Sequence, residues 1–413
     1  MTSFATQVRR GRRNLREVPA YLKRMPRLRR VSSGRGEQVV AALGLTLLAA
    51  CGGVGGTAHK AAAADAAPLY FANWEGEIGP NTLPGFEQRT GIHVVVEDIP
   101  DNVSLQTKLL TGHSGSDVVV PSSNFIQPLI AAGALRRLDK TKLPNWRHLD
   151  PALLAALAKI DPGNQYGVPY LWGTHAFAYN VAAVTRALGH EPEPSWSLIF
   201  DPAIARRLQD CGITWQDSAG SIMLDLGLLA IGRDPAGESL EDLHAAEAAF
   251  MRVRPYVRYV ESGGRNRSDL ASGEICITIG PNGDMIQARD LAREARSGVD
   301  VRYVVPKEGA LLWVDLLAIP ADAPHREAAY RFLDYLLEPA VIAGISNASK
   351  YANANRDATA LVDPSMRSDP AVYPPQDVRA RLHLVPAESQ AYTRARVAAW
   401  TRILTANPRA PQP

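Results

Sequence analysis

What the 413-residue sequence lacks bears first on its function. It has no apolar run of the roughly 20 residues that a membrane-spanning helix needs; the nearest, Val39 to Cys51, is about a dozen residues long. It has little net charge, with 45 Lys and Arg against 42 Asp and Glu. The basic excess sits at the front: residues 1–36 hold eleven basic residues and one acid, Glu17, and residues 37–51 add only Glu37. Residues 52–413 therefore carry 34 basic against 40 acidic residues, a net of −6, which excludes the basic face that a nucleic-acid partner requires. Catalytic signatures are missing as well. There is no Walker A sequence, no Gly-x-Gly-x-x-Gly behind a strand and no Gly-x-Ser-x-Gly elbow, although Gly112-His113-Ser114-Gly115-Ser116 lacks only the final glycine. The nine histidines are scattered, and the pair His244 and Glu247 reads as a solvated helix face. No metal or cofactor is expected. An enzyme is not expected either; the alternative is a secreted enzyme or sensor with an unrecognised site.

What is present begins with an address. The apolar run ends in Leu48-Ala49-Ala50-Cys51, and its basic flank and small residues read as a secretory signal, with Cys51 placed as the lipidated first residue of a lipoprotein. The basic stretch before it is longer than a usual leader, and Met25 offers an alternative start that keeps Arg27, Arg29, Arg30 and Arg35. Residues 52–67 form a Gly/Ala tether. In an exported chain the remaining pair, Cys211 and Cys276, reads as a disulfide, two unpaired buried thiols being the alternative.

Beyond the tether the pattern is α/β. Leu69 to Asn73, Ile92 to Glu97 and Asp117 to Val120 read as strands. They alternate with helices over 80–90, 104–110 and 125–132, the first and last closed by Gly91 and Gly133. That alternation points to a parallel sheet. Further strands are expected at 275–279, 301–305 and 311–319, a single helix over 325–345, and a closing helix over 390–405. Aromatic and acidic residues gather at strand ends, where open parallel sheets bind ligands. Trp74 follows the first strand, Ser122 the third, and Asp284 the strand holding Cys276, while Trp313 and Asp315 share one strand face and Tyr351 opens a polar loop. Rings beside carboxylates suit an organic cation.

From Leu69 to about Thr401 the chain resembles the periplasmic polyamine-binding proteins of bacterial ABC importers, putrescine-type members above all. The matching stretches are Tyr70-Phe-Ala-Asn-Trp74, Gly85-Phe-Glu-Gln-Arg-Thr-Gly-Ile92, Asp117-Val-Val-Val-Pro-Ser-Ser123, Leu138-Asp-Lys-Thr-Lys-Leu-Pro144, Val305-Pro-Lys-Glu-Gly309, Tyr351-Ala-Asn-Ala-Asn355 and Tyr373-Pro-Pro375. The resemblance implies a class II two-lobed periplasmic-binding fold with discontinuous α/β lobes joined by a hinge. One lobe would comprise 68–171 plus 297–357, the other 172–296 plus 358–407. It also implies a disulfide between Cys211 and Cys276. It further implies a monomeric receptor that delivers a di- or polyamine, or another small organic cation, to the transmembrane subunits of an ABC permease. Carried over by position, the ligand residues are Trp74, Ser122, Asp284, Trp313, Asp315 and Tyr351. The chain departs from the family pattern in three places. Gly76 stands where an amine-binding carboxylate is usual and Glu77 where an aromatic is. Pro281 replaces a tryptophan, and neither Ser221 nor Ile222 supplies the acid of the second lobe. Glu75 or Glu77 turning inward would make good the lost carboxylate, since the glycine between them frees the backbone.

Overall fold

The computed structural model describes residues 67–217, 222–261, 264–384 and 388–406. The signal segment, Cys51, nearly all of the tether and Ser221 lie outside them. Eleven strands are described: β1 Leu69–Trp74, β2 Val94–Ile99, β3 Val118–Val119, β4 Gly167–Asn180, β5 Ile213–Gln216, β6 Val257–Glu261, β7 Ile277–Pro281, β8 Val301–Val304, β9 Ala310–Ala318, β10 Ala352–Asn353 and β11 Leu382–Leu384. The main path runs β2-β1-β3-β9-β4-β7-β5-β6, with β8 and β10 also on β4 and β11 on β9.

The sheet is mixed rather than parallel. β1 lies parallel to β2 and β3, and β5 parallel to β6 and β7, but β9 runs antiparallel to β3 and β4, and β4 antiparallel to β7 and β8. The reversals come from β4 and β9, the long strands that carry the chain between two hydrophobic cores. In one core Phe71, Phe86 and Phe332 meet edge to face at about 5 Å. In the other Trp215, Phe200 and Trp400 surround Phe250, with Trp215 at 4.9 Å. β4 gives Val168, Tyr170 and Leu171 to the first core and Ala176, Phe177 and Tyr179 to the second, while β9 gives Val314, Leu316 and Leu317 to the first and Ala310 and Leu311 to the second. Two antiparallel strands thus belong to both halves, which makes them the joint.

Local signals set most boundaries. The helix Thr82–Thr90 ends at Gly91 in the left-handed region (φ 71°), its amide donating to the Glu87 carbonyl. The single helix expected over 325–345 is two, Arg326–Leu336 and Pro339–Ser349. Pro339 has no amide hydrogen to continue the ladder and instead opens the second helix. Cys211 and Cys276 are disulfide-bonded, with Cα atoms 5.4 Å apart. The bridge ties together the beginnings of neighbouring strands β5 and β7, where Ile213 pairs with Ile277. Ala358, Val362, Met366 and Val372 pack into the first core, whereas Tyr392, Ala399, Trp400 and Ile403 of the closing helix pack into the second. No helix among the described residues is long and apolar enough to cross a membrane.

Candidate functional site

Glu77 is the pivot of the site, and a turn puts it there. Strand β1 stops at Trp74; Gly76 takes φ 78°, and the Glu77 amide donates to the Trp74 carbonyl at 3.2 Å. A positive φ at this point is inexpensive only for glycine. The backbone is then pinned, because the Glu77 carbonyl accepts from Tyr170 Oη at 2.7 Å and from Asn73 Nδ2 at 3.0 Å. Glu77 is left 7% exposed, while Glu75 on the far side of the glycine is exposed at the rim. The inward turn thus falls to Glu77.

Its carboxyl meets Asp315 of β9, and the two are within hydrogen-bonding reach of each other. Asp315 is also bound by Ser122, whose Oγ donates to Oδ1 at 2.6 Å, and strand alternation places Trp313 on the same side. Ser122 is fixed in turn by Asn102. Its amide donates to Asn102 Oδ1 at 3.0 Å, and Asn102 Nδ2 donates to Ser122 Oγ at 2.9 Å. Burial pushes the Asp315 carboxyl up to about 7, offset in part by the bonds from Ser122 and Glu77. Glu77 is raised well above the usual carboxylate range by burial first, then by the charges of Asp315 and Asp284. Glu77 Oε2 is buried with no hydrogen-bond partner.

The opposite wall is the helix Asn282–Glu294, with Asp284 in its first turn. Tyr351 Oη donates to Asp284 Oδ1 at 3.2 Å, and Arg267 Nη1 stands 3.9 Å from the same oxygen. Burial raises Asp284, opposed by Arg267 and Tyr351, and the nearby charge of Glu75 raises it further. The aromatic part is clamped by glycines. Trp313 and Tyr351 meet edge to face at 4.9 Å. A Cβ on Gly283 would lie 2.3 Å from the Tyr351 ring, and one on Gly173 would lie 2.5 Å from the Trp313 ring, so both rings pack against bare backbone. The Nε1 atoms of Trp74 and Trp313 are buried without partners.

The structure therefore brings Glu77, Ser122, Asp284, Trp313, Asp315 and Tyr351 together, with Trp74 at the turn and Glu75 at the rim. Sequence reading missed Asn102, Tyr170, Arg267, Gly173 and Gly283. Gly283 carried a signal, since it directly precedes Asp284; Gly173 and Arg267 carried none. Carboxylates outnumber cations here, and the arrangement suits holding a cation. Among the described residues no group of three or more His, Cys, Asp or Glu is placed to hold a metal ion.

Two α/β halves sharing a pair of strands, with an anionic, aromatic-walled site between their cores, define the class of two-lobed solute receptors. The chain belongs to the bacterial extracellular solute-binding protein family, whose model matches residues 85–374. It is 41% identical over 343 residues to the putrescine-binding periplasmic protein PotF of Escherichia coli, covering 83% of this chain and 92% of that one. It is 42% identical over 350 residues to the putrescine-binding periplasmic protein SpuD of Pseudomonas aeruginosa, covering 84% and 95%. Among solved structures, a putative spermidine/putrescine ABC transporter protein of Listeria monocytogenes superposes with a TM-score of 0.72 at 26% identity, covering 82% of this chain and 99% of that one.

Proposed function

We propose that the protein is an extracytoplasmic receptor that binds a di- or polyamine, putrescine or a close relative, between its two halves and delivers it to an ABC permease. It performs no chemistry on the ligand. The observation that carries this reading is the buried acid pair itself, Glu77 beside Asp315, with Glu77 Oε2 buried and without a hydrogen-bond partner among the described residues. An ammonium there would donate charge-assisted bonds to Glu77, Asp315 and the Ser122 oxygen, and a second ammonium would lie at Asp284 and Tyr351, with Trp74 and Trp313 packing on the methylenes. Kinship with proteins named for putrescine supports the ligand class. Closure would be a hinge motion about β4 and β9, the ligand favouring the closed form because it touches residues of both halves. The proposed first half is 68–171 with most of 297–357, and the second 172–296 with the chain's end. Residues 358–373 go with the first, because their apolar side chains pack there.

The loop at Gly76 gives the test. Glu77→Gln should weaken diamine binding roughly tenfold at pH 8, the worth of one charged hydrogen bond at about 1.5–3 kcal/mol less the cost of clearing the acid's own proton. Glu75→Gln, at the exposed rim, should change it less than threefold. Gly76→Asp should not tighten binding, because the seat of the lost carboxylate is already taken by Glu77. Titration calorimetry on the three variants reads all of this. Tighter binding by Gly76→Asp with unchanged Glu77→Gln would remove Glu77 from the site.

We further propose that the mature receptor is a monomer held at the membrane by a lipid on Cys51, working in the periplasm like the relatives named as periplasmic. Full-length protein made in a Gram-negative host should fractionate with membranes, and Cys51→Ser should release it. Wild-type protein found free and unlipidated would contradict the anchor.

A further inference from the structure

Two buried carboxyl groups facing one another cannot both be ionised without a cation between them. Glu77 and Asp315 are in that position. They come from different parts of the chain, the turn after β1 and the middle of β9, and both are almost fully buried. Among the described residues no cationic side chain forms an ion pair with either. Ser122 offers a hydroxyl to Asp315, and Tyr170 of β4 spends its hydroxyl on the Glu77 carbonyl. Asp284, from the helix Asn282–Glu294, adds negative charge, as does Glu75 from the rim behind it, and Tyr351 spends its hydroxyl on Asp284. Arg267 is the cation nearby, and it stands 3.9 Å from Asp284 on that acid's side.

Building on the amine-receptor reading, we propose that the empty receptor keeps one proton between Glu77 and Asp315, carried on Glu77 and donated to Asp315, and that an incoming ammonium expels it. Capture is then an exchange of cations: the alkylammonium enters the two-acid seat and the proton leaves to solvent. The Glu77 O–H bond breaks and its proton passes to solvent, no other bond of amine or carboxyl changes, and the seat's net charge is the same before and after. The burial that lifts both acids is what holds the proton at neutral pH. The exchange makes the receptor release ligand more readily in acid, and it discriminates against guests too weakly charged to displace a proton. Gln at position 77 imitates the protonated acid permanently, since its amide can donate to Asp315 as the acid does.

The experiment counts the proton. Titrating putrescine into full-length receptor at pH 8 in buffers of different ionisation enthalpy should show release of close to one proton per bound ligand, and Glu77→Gln should show near zero. Wild-type binding with no proton released, or equal release by both proteins, would overturn the exchange. Infrared spectra of the ligand-free proteins give an arm that needs no amine. Wild type at pH 8 should show a protonated-carboxyl band that Glu77→Gln lacks, and its absence in wild type would overturn the shared proton. Failure of every amine to bind, with that band present, would count against the amine reading and not against the shared proton.

Discussion

Asp315→Asn and Asp284→Asn each weaken diamine binding by about 2–5 kcal/mol, the cost of leaving a buried cation underpaired. In affinity that is a factor of about 30 to several thousand. Asp315 should stand at the upper end, because it is only 3% exposed. Asp284 should stand at the lower end, because it is only partly buried and Tyr351 remains to meet the ligand. Stability separates lost binding from lost folding. Burial raises the folded-state Asp315 carboxyl from its ordinary value of 3.8 to about 7. A carboxyl raised in this way favours the folded state below its unfolded value, and that contribution is lost as pH rises from about 4 through about 7. Ligand-free Asp315→Asn should therefore unfold at a temperature no lower than wild type at pH 8, and the difference should shrink toward pH 4. A variant that binds nothing and also melts early would assign Asp315 a structural part instead.

Opening the bridge between Cys211 and Cys276 should cost about 4 kcal/mol of stability, from the 65-residue separation of the two cysteines. The double variant Cys211→Ala/Cys276→Ala should show a lower urea midpoint and a somewhat steeper slope, because the unbridged unfolded chain exposes more surface. Diamine affinity should hardly move, because the bridge ties β5 to β7 in the second core and touches none of the site residues. Denatured, unreduced residues 52–413 should show no free thiol. Two free thiols would exclude the bridge.

How far the sequence revealed this structure depended on whether the deciding force was local. Strand β1 was legible from a short apolar run with aromatic content, β2 from a β-branched run, and the helix after β1 from its terminating Gly91. Strand β4 was not. Its fourteen residues, Gly167–Asn180, are buried on both sides almost throughout, so they show no alternation, and Pro169, Gly167 and Gly173 read as breakers. A register shift between Pro169 and Trp172 absorbs the proline. Missing β4 also hid the antiparallel pairs it makes, which is why a parallel sheet was expected. At the site, residue types at strand ends and the family pattern singled out Asp284, Asp315, Trp313 and Tyr351. Choosing between Glu75 and Glu77 needed the Gly76 turn and the Tyr170 anchor, and Tyr170 lies ninety-three positions along the chain from Glu77.

The central claim, that this receptor holds a di- or polyamine in an acidic seat built on Glu77, Asp315 and Asp284, is tested most directly on the wild-type protein. Titration calorimetry with putrescine, cadaverine, agmatine and spermidine, after stripping any ligand carried through purification, should give saturable one-to-one binding by at least one of the four. Folded, ligand-stripped protein that binds none of them would contradict the account.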